Sequence, residues 1–377
     1  MNDLQGWLQH QLDTRNEKGG LRELQHANLK IDFVSNDYLG LARSAEIHQA
    51  VIKDLQELAP PYNGATGSRL LAGNSALAEE LEAFLAKIFQ SESSLLFSSG
   101  YVANQAVLSC IPQAGDTILY DELVHACMHD GMRLSKATRI SFAHNNLTQL
   151  EEKLKSATGR KFIAVESLYS MDGNFCPLLE LTTLSEKYNA TIILDEAHST
   201  GSYGKNGSGL AIDQQVADKI AIRIYTFGKA IGAHGACVAG SATLRNYLIN
   251  FARPFIYSTA MPPHSLLAVK HAFLFIQNNS QLQSILQQRI QSYLKQSESL
   301  QFEKIESQSA IQSILIPGNQ EVMQLTKLLF AQGIDCKGIR SPTVKTGTER
   351  LRVCLHTFNA EAEIDSLIST INSFKSD

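Results

Sequence analysis

The apolar run Thr191-Ile192-Ile193-Leu194 leads straight into Asp195-Glu196-Ala197-His198, and 34 positions after Asp195 comes Lys229, in Thr226-Phe227-Gly228-Lys229-Ala230. A carboxylate leaving the end of a buried strand can form a charge-assisted hydrogen bond to a protonated ring nitrogen. An amine partly desolvated by its surroundings gives up its proton readily enough to act as nucleophile and then as base. Together they suit pyridoxal phosphate (PLP), which needs an amine for its aldehyde and an acid for its ring nitrogen. A third part is Ser98-Ser99-Gly100-Tyr101, which follows a strand pattern and opens a helix near Ala103. N–H groups at a helix N-terminus, with small hydroxyls beside them, form a natural phosphate site. A nucleotide P-loop is excluded. Position 223 is Arg where a glycine is required, and Ala230 stands where Ser or Thr must follow the lysine. The glycines between Gly201 and Gly209 do not spell the dinucleotide fingerprint after a strand either.

The elements that would position these residues are legible in the pattern. Short β-rich runs at Ser94–Phe97, Thr117–Tyr120, Arg139–Phe142, Phe162–Val165, Thr191–Leu194 and Ile222–Thr226 alternate with helical stretches. One well-supported helix starts at Ser75, with Leu77, Leu81, Phe84, Leu85, Ile88 and Phe89 at helical spacing. This alternation predicts an α/β fold with a mostly parallel sheet and helices on both faces. Sites on such sheets gather at the carboxyl ends of strands, where Ser98, Glu166, Asp195 and Thr226 fall. Residues 1–30 read as polar and partly helical, and Asp32 to Tyr38 as a strand ending in a turn. Near Pro262-Pro263 the texture changes to two helical segments, a strand at Ile311–Ile316, a helix around Val322–Gln332, a strand at Arg350–Leu355 and a final helix. The expected organisation is an N-terminal segment (1–45), a large cofactor-binding domain (46–262) and a small α+β domain (263–377).

Bulk properties bound the function. The 377 residues carry 44% hydrophobic and 19% charged side chains, as in an ordinary globular protein. A net charge of −4 argues against nucleic-acid binding through bulk charge. No basic region followed by an apolar stretch opens the chain, and the apolar run Ser265–Ile276 is too short to span a bilayer. The six cysteines show no C-x-x-C spacing, which points to structural thiols in a reducing cytoplasm, without zinc or a disulfide framework.

Read in order, the motifs carry a resemblance. Asn36-Asp37-Tyr38-Leu39-Gly40-Leu41, Gly67-Ser68-Arg69, Ser99-Gly100-Tyr101-Val102-Ala103-Asn104, Glu166 with Ser170-Met171-Asp172-Gly173, Asp195-Glu196-Ala197-His198 and Thr226-Phe227-Gly228-Lys229 follow one another. With Ala252-Arg253-Pro254-Phe255-Ile256-Tyr257-Ser258-Thr259-Ala260 and Arg350-Leu351-Arg352 they span nearly the whole chain, which resembles the α-oxoamine synthases, PLP-dependent transferases of fold type I. The resemblance is strongest to members that join L-alanine to a pimeloyl thioester, on CoA or an acyl carrier protein, in biotin synthesis.

The resemblance implies roles. Lys229 would hold the cofactor's aldehyde and later take the substrate's α-proton, and Asp195 would pair with the ring nitrogen. His198 would bond the ring's phenolic oxygen, and His125 would lie over the ring face. Gly100, Tyr101 and Thr226 would hold the phosphate, with Ser258 and Thr259 reaching it from the second subunit of a homodimer with shared sites. Ser170 and Glu166 would line the same cavity. Arg352 would clamp the amino-acid carboxylate, assisted by Asn36 and Arg22. No metal is implied. Where many relatives carry a histidine after the Gly73-Asn74 pair, this chain has Ser75-Ala76-Leu77-Ala78, a stretch the resemblance places at the thioester entrance. Two rivals stand open: another family member, such as glycine C-acetyltransferase or serine palmitoyltransferase, and a PLP-fold binding module without catalysis.

Overall fold

The computed structural model describes residues 3–24 and 31–374, which divide into two compact units. The larger comprises residues 36–170 and 175–284, and the smaller comprises 1–35, 171–174 and 285–377.

The larger unit is built on seven strands: β1 (Ser93–Phe97), β2 (Thr117–Asp121), β3 (Thr138–Phe142), β4 (Lys161–Glu166), β5 (Ala190–Asp195), β6 (Ile222–Thr226) and β7 (Ala236–Gly240). Their order across the sheet is β1-β7-β6-β5-β4-β2-β3. Only β7 runs against the rest, pairing antiparallel with both β1 and β6. Five neighbouring strands, β3 through β6, are parallel, as the alternation of strand and helix predicts. The central residues of the four interior strands β2, β4, β5 and β6, Leu119, Ile163, Ile193 and Ile224, are fully buried, as parallel strands covered on both faces require. Register sets Glu166 beside Asp195 at the carboxyl ends of β4 and β5. The two carboxylates therefore emerge side by side.

The helices beside the sheet begin where the sequence supplies caps. Ser99 caps Gly100–Cys110 by accepting from the Val102 N–H, and Ser75 caps Ala76–Ile88 by accepting from Ala78. Phe89 stacks on Tyr225 of β6 at 3.6 Å between ring centroids and meets Phe273 edge-on at 5.6 Å, so one aromatic cluster ties helix to sheet.

The smaller unit carries a four-stranded antiparallel sheet in the order Lys337–Ile339, Arg350–Cys354, Ile311–Leu315, Lys304–Ile305. Helices Asn319–Ala331 and Glu361–Ser373 belong to the same unit. The expected strand from Asp32 to Tyr38 is confined to Ile31–Asp32, which pairs with Ile334–Asp335. Beyond it, the Asp32 carboxylate accepts from the N–H groups of both Val34 and Ser35 and turns the chain. The units part at residues 284/285, inside the helix Gln281–Gln296, whereas the change of texture falls at Pro262-Pro263. Met171 and Gly173 belong to the smaller unit, where Ser313 and Ser307 donate to their carbonyls. At Gly173, with φ +75°, a Cβ would sit 2.1 Å from the Ile311 carbonyl oxygen, so this part of the motif is fixed by backbone contact. Among the described residues no helix is long and apolar enough to cross a membrane.

Truncating Phe89 removes a fully buried ring from the aromatic cluster. Phe89→Ala is expected to cost about 3–5 kcal/mol in the larger unit, read as a lower urea midpoint by fluorescence or circular dichroism. A midpoint equal to that of the native chain would contradict the packing described.

Candidate active site

At the carboxyl ends of the parallel strands lies a cavity of about 290 Å³. Asp195 from the end of β5, Glu166 from β4 and Thr226 from β6 reach it from the sheet. Ser99, Gly100, Tyr101 and Asn104 reach it from the first turns of the helix after β1, His125 and Cys127 from the loop and helix after β2, and Lys229 and His234 from the segment between β6 and β7. The strand-end acid and the lysine, 34 residues apart in sequence, thus border one space.

Asp195 is buried, and each of its oxygens has a donor. Asn104 Nδ2 donates to Oδ2 at 2.7 Å and the Ala197 N–H donates to Oδ1 at 2.8 Å. The same Asn104 nitrogen donates to the Gly100 carbonyl at 3.0 Å, which joins the acid to the helix N-terminus. These two hydrogen bonds leave carboxylate lone pairs for one further donor.

Gly100 and Thr226 meet on one side of the cavity. A Cβ at position 100 would stand 2.4 Å from Thr226 Cγ2, so only glycine permits this approach. The Thr226 hydroxyl is buried and has no hydrogen-bond partner among the described residues. A buried hydroxyl without a partner is costly, and its place beside a helix N-terminus fits an anionic oxygen arriving from a ligand. Tyr101 stands at the half-exposed rim, its hydroxyl donating to Asp130, which pushes the phenol up from its ordinary range. Acid, amine and anion cradle on one cavity fit a phosphorylated aromatic aldehyde such as PLP.

His125 caps the helix Ala126–Leu134 with its own ring: the Cys127 N–H donates to Nδ1 at 3.2 Å. The His125 backbone N–H donates to Glu166 Oε1 at 2.5 Å. Burial holds the imidazole below its ordinary range, and Lys229 acts in the same direction against Asp195. Burial, reinforced by the neighbouring Asp195 charge, pushes Glu166 up to about 8. The Glu166 side chain is therefore a neutral hydrogen-bonding group at neutral pH. Beyond Asp195, His198 is buried with its Nδ1 2.8 Å from the Tyr38 hydroxyl. That hydroxyl donates its proton to Asn36 Oδ1 at 3.1 Å, which makes the His198 Nδ1–H the donor to Tyr38 and leaves Nε2 as an acceptor.

Of the residues expected from sequence, Lys229, Asp195, His125, Gly100, Tyr101, Thr226 and Glu166 line this cavity together. Asn36 and His198 are joined to each other through Tyr38. Ser170 lies half-buried in the turn after β4, outside the cavity lining, and Ser258 and Thr259 line a separate small cavity with Arg69 and Gly73. Arg352 and Arg22 belong to the smaller unit. There Arg352 is buried on its strand with Nη1 2.9 Å from Cys354 Sγ, and the exposed Arg22 donates to Thr343 Oγ1 at 3.0 Å. Sequence reasoning gave Asn104 no role within its motif, read Cys127 as a structural thiol, and gave no functional account of His234, which is exposed on the cavity wall.

The model of the family "Aminotransferase class I and II" matches residues 28–371. An 8-amino-7-oxononanoate synthase of Emericella nidulans is 40% identical over 364 residues, covering 90% of this chain and 88% of that protein. The enzyme of the same name from Lysinibacillus sphaericus is 37% identical, covering 90% and 87%. Among solved structures, the Francisella tularensis 8-amino-7-oxononanoate synthase superimposes with a TM-score of 0.79 at 29% identity, covering 91% of this chain and 96% of that one. A Sphingomonas wittichii serine palmitoyltransferase reaches 0.86 at 24% identity, covering 90% and 86%, a likeness of fold alone.

Glu166 carries a proton in the folded chain that the unfolded chain loses at its ordinary 4.5, so folded stability falls as pH rises from 4.5 to about 8. Glu166→Gln keeps an oxygen for the His125 N–H and removes that titration. Its Tm, measured on cofactor-free protein by scanning fluorimetry, is expected to fall less between about pH 5 and 8 than that of the native chain. An unchanged fall would contradict a neutral Glu166.

Proposed function

The chain belongs to the class I and II aminotransferase family, and we propose that it joins L-alanine to a pimeloyl thioester as an 8-amino-7-oxononanoate synthase of biotin synthesis. The reaction forms a carbon–carbon bond between the alanine α-carbon and the acyl carbonyl. It releases carbon dioxide from the alanine carboxylate and the free thiol of CoA or an acyl carrier protein. The observation that carries this reading is the convergence of Asp195, Lys229 and the partnerless Thr226 hydroxyl on one cavity.

PLP is the cofactor, and when bound it supplies an electron sink for the charge left on the α-carbon when a bond to it breaks. The residues divide the remaining work. Asp195 would accept from the ring nitrogen and keep it protonated. Gly100 and Tyr101, with the Thr226 hydroxyl, would hold the phosphate. His198 Nε2 would accept from the phenolic oxygen. Lys229 would hold the cofactor's aldehyde, and its Nζ would take the α-proton of alanine. His125 would donate from Nε2 to the oxygen of the acyl group, where negative charge develops. Arg352, with Asn36 and Arg22, would fix the alanine carboxylate and so its orientation. The enzyme works as a cytoplasmic homodimer, Thr259 and Ser258 of one copy reaching the phosphate held by the other.

Two measurements test this. Mass spectrometry of the native enzyme with L-alanine and pimeloyl-CoA or a pimeloyl carrier protein is expected to show 8-amino-7-oxononanoate, and Lys229→Ala to lower its formation at least about 10³-fold while the fold persists. Product from glycine and acetyl-CoA alone, or full activity of the lysine variant, would overturn the reading. Arg352→Lys, which replaces a forked donor by a point charge, is expected to raise the KM for L-alanine about tenfold or more in steady-state assays. An unaltered KM would remove Arg352 from the substrate site.

A further inference from the structure

The Cys127 thiol is buried in the cavity wall, with Sγ 2.9 Å from His125 Nδ1. The backbone N–H of the same residue points at the same nitrogen from 3.2 Å. The backbone N–H can only donate, so Nδ1 presents its lone pair there, and with Nδ1 an acceptor the thiol donates to the same nitrogen. The ring proton of neutral His125 then sits on Nε2. The other end of the residue is held too, since its backbone N–H is bonded to Glu166. His125 therefore has both its backbone and its tautomer set by neighbours, and the thiol is the one of these groups that belongs to a replaceable side chain donating to the ring.

We infer that Cys127 is a positioning residue for His125, its thiol holding Nδ1 as an acceptor so that Nε2–H is the donor offered to the reacting oxygen. The assignment rests on the role of His125 in the proposed condensation. A thiol suits this post because it stays protonated there. Burial pushes Cys127 far above its ordinary range, reinforced by Asp195 and Glu166, so it donates and does not compete as a thiolate. The charged and titratable groups around the imidazole are Asp195, Lys229, Glu166 and, along the same helix, His129. Cys127 bonds the ring itself, through its thiol and its backbone N–H. The remaining buried cysteines near the sheet, Cys176 and Cys237, line no part of this cavity.

The test compares Cys127→Ser, which keeps a side-chain donor, with Cys127→Ala, which removes it. Both are prepared as full-length holoenzyme labelled with ¹⁵N-histidine, and His125 is assigned by its loss in a His125→Gln variant. Native enzyme and the serine variant are expected to show one tautomer, with unprotonated Nδ1 and protonated Nε2. The alanine variant is expected to show both tautomers, a displaced limb in the pH profile of kcat, and a kcat about 2–10-fold lower, the loss of one modest hydrogen bond. The KM for alanine is expected to stay within about twofold. Nitrogen shifts and pH profile in the alanine variant equal to the native ones would overturn the assignment, as would an equal disturbance by serine and alanine. The nitrogen shifts are read without substrate, so failure of the condensation reading, seen as no product from native enzyme, is distinguished from failure of the thiol to set the tautomer.

Discussion

The structure of the site depends on satisfying one carboxylate buried at the end of a strand. Asp195 stands at the end of an interior strand, where an ion without partners would be expensive. Asn104 and the Ala197 N–H supply the donors that make it tolerable. Because Asn104 also bonds the Gly100 carbonyl, the group that stabilises the acid fixes the start of the helix beside the Thr226 hydroxyl. Asp195 and the helix N-terminus are thereby joined by one amide side chain, which would set the distance between the proposed ring-nitrogen partner and the proposed phosphate site.

A second constraint follows from sheet register. Parallel pairing brings Glu166 level with Asp195, and two neighbouring buried carboxylates cannot both be charged at modest cost. The asymmetry is resolved by donors. Asp195 receives an amide and a backbone N–H, whereas Glu166 receives the His125 N–H and is pushed toward its neutral form. Glu166 is thereby left to position, and His125 is anchored by it. The loop that carries His125 is braced further along. Asp121 accepts from Leu123 N–H on one side and from Asn145 N–H on the other.

Much of this could be read from the chain because parallel interior strands are written as plain apolar runs followed by functional residues. Six of the seven strands of the larger sheet are found within a residue or so of their sequence pattern. The seventh, β7, has the composition Ala-Cys-Val-Ala-Gly, with neither alternation nor a strongly apolar run to announce it. The turn after Asp32 was hidden by the opposite effect: Phe33 and Val34 look like strand residues, and the Asp32 carboxylate overrides them. Asn104 and Cys127 face the cavity from helices whose periodicity also serves the core, so spacing alone does not separate the two uses. The division of the chain at 284/285 leaves no mark in composition because it falls within one continuous helix.

The account requires that Lys229 carry the cofactor at the mouth of the Asp195 cavity. The most direct measurement is borohydride reduction of the purified, PLP-loaded enzyme followed by peptide mapping by mass spectrometry. A single pyridoxyl group on Lys229 is the result expected. A colourless protein with no pyridoxyl group, or one carrying it on another lysine, would contradict the assignment of acid and amine to the two ends of one ring.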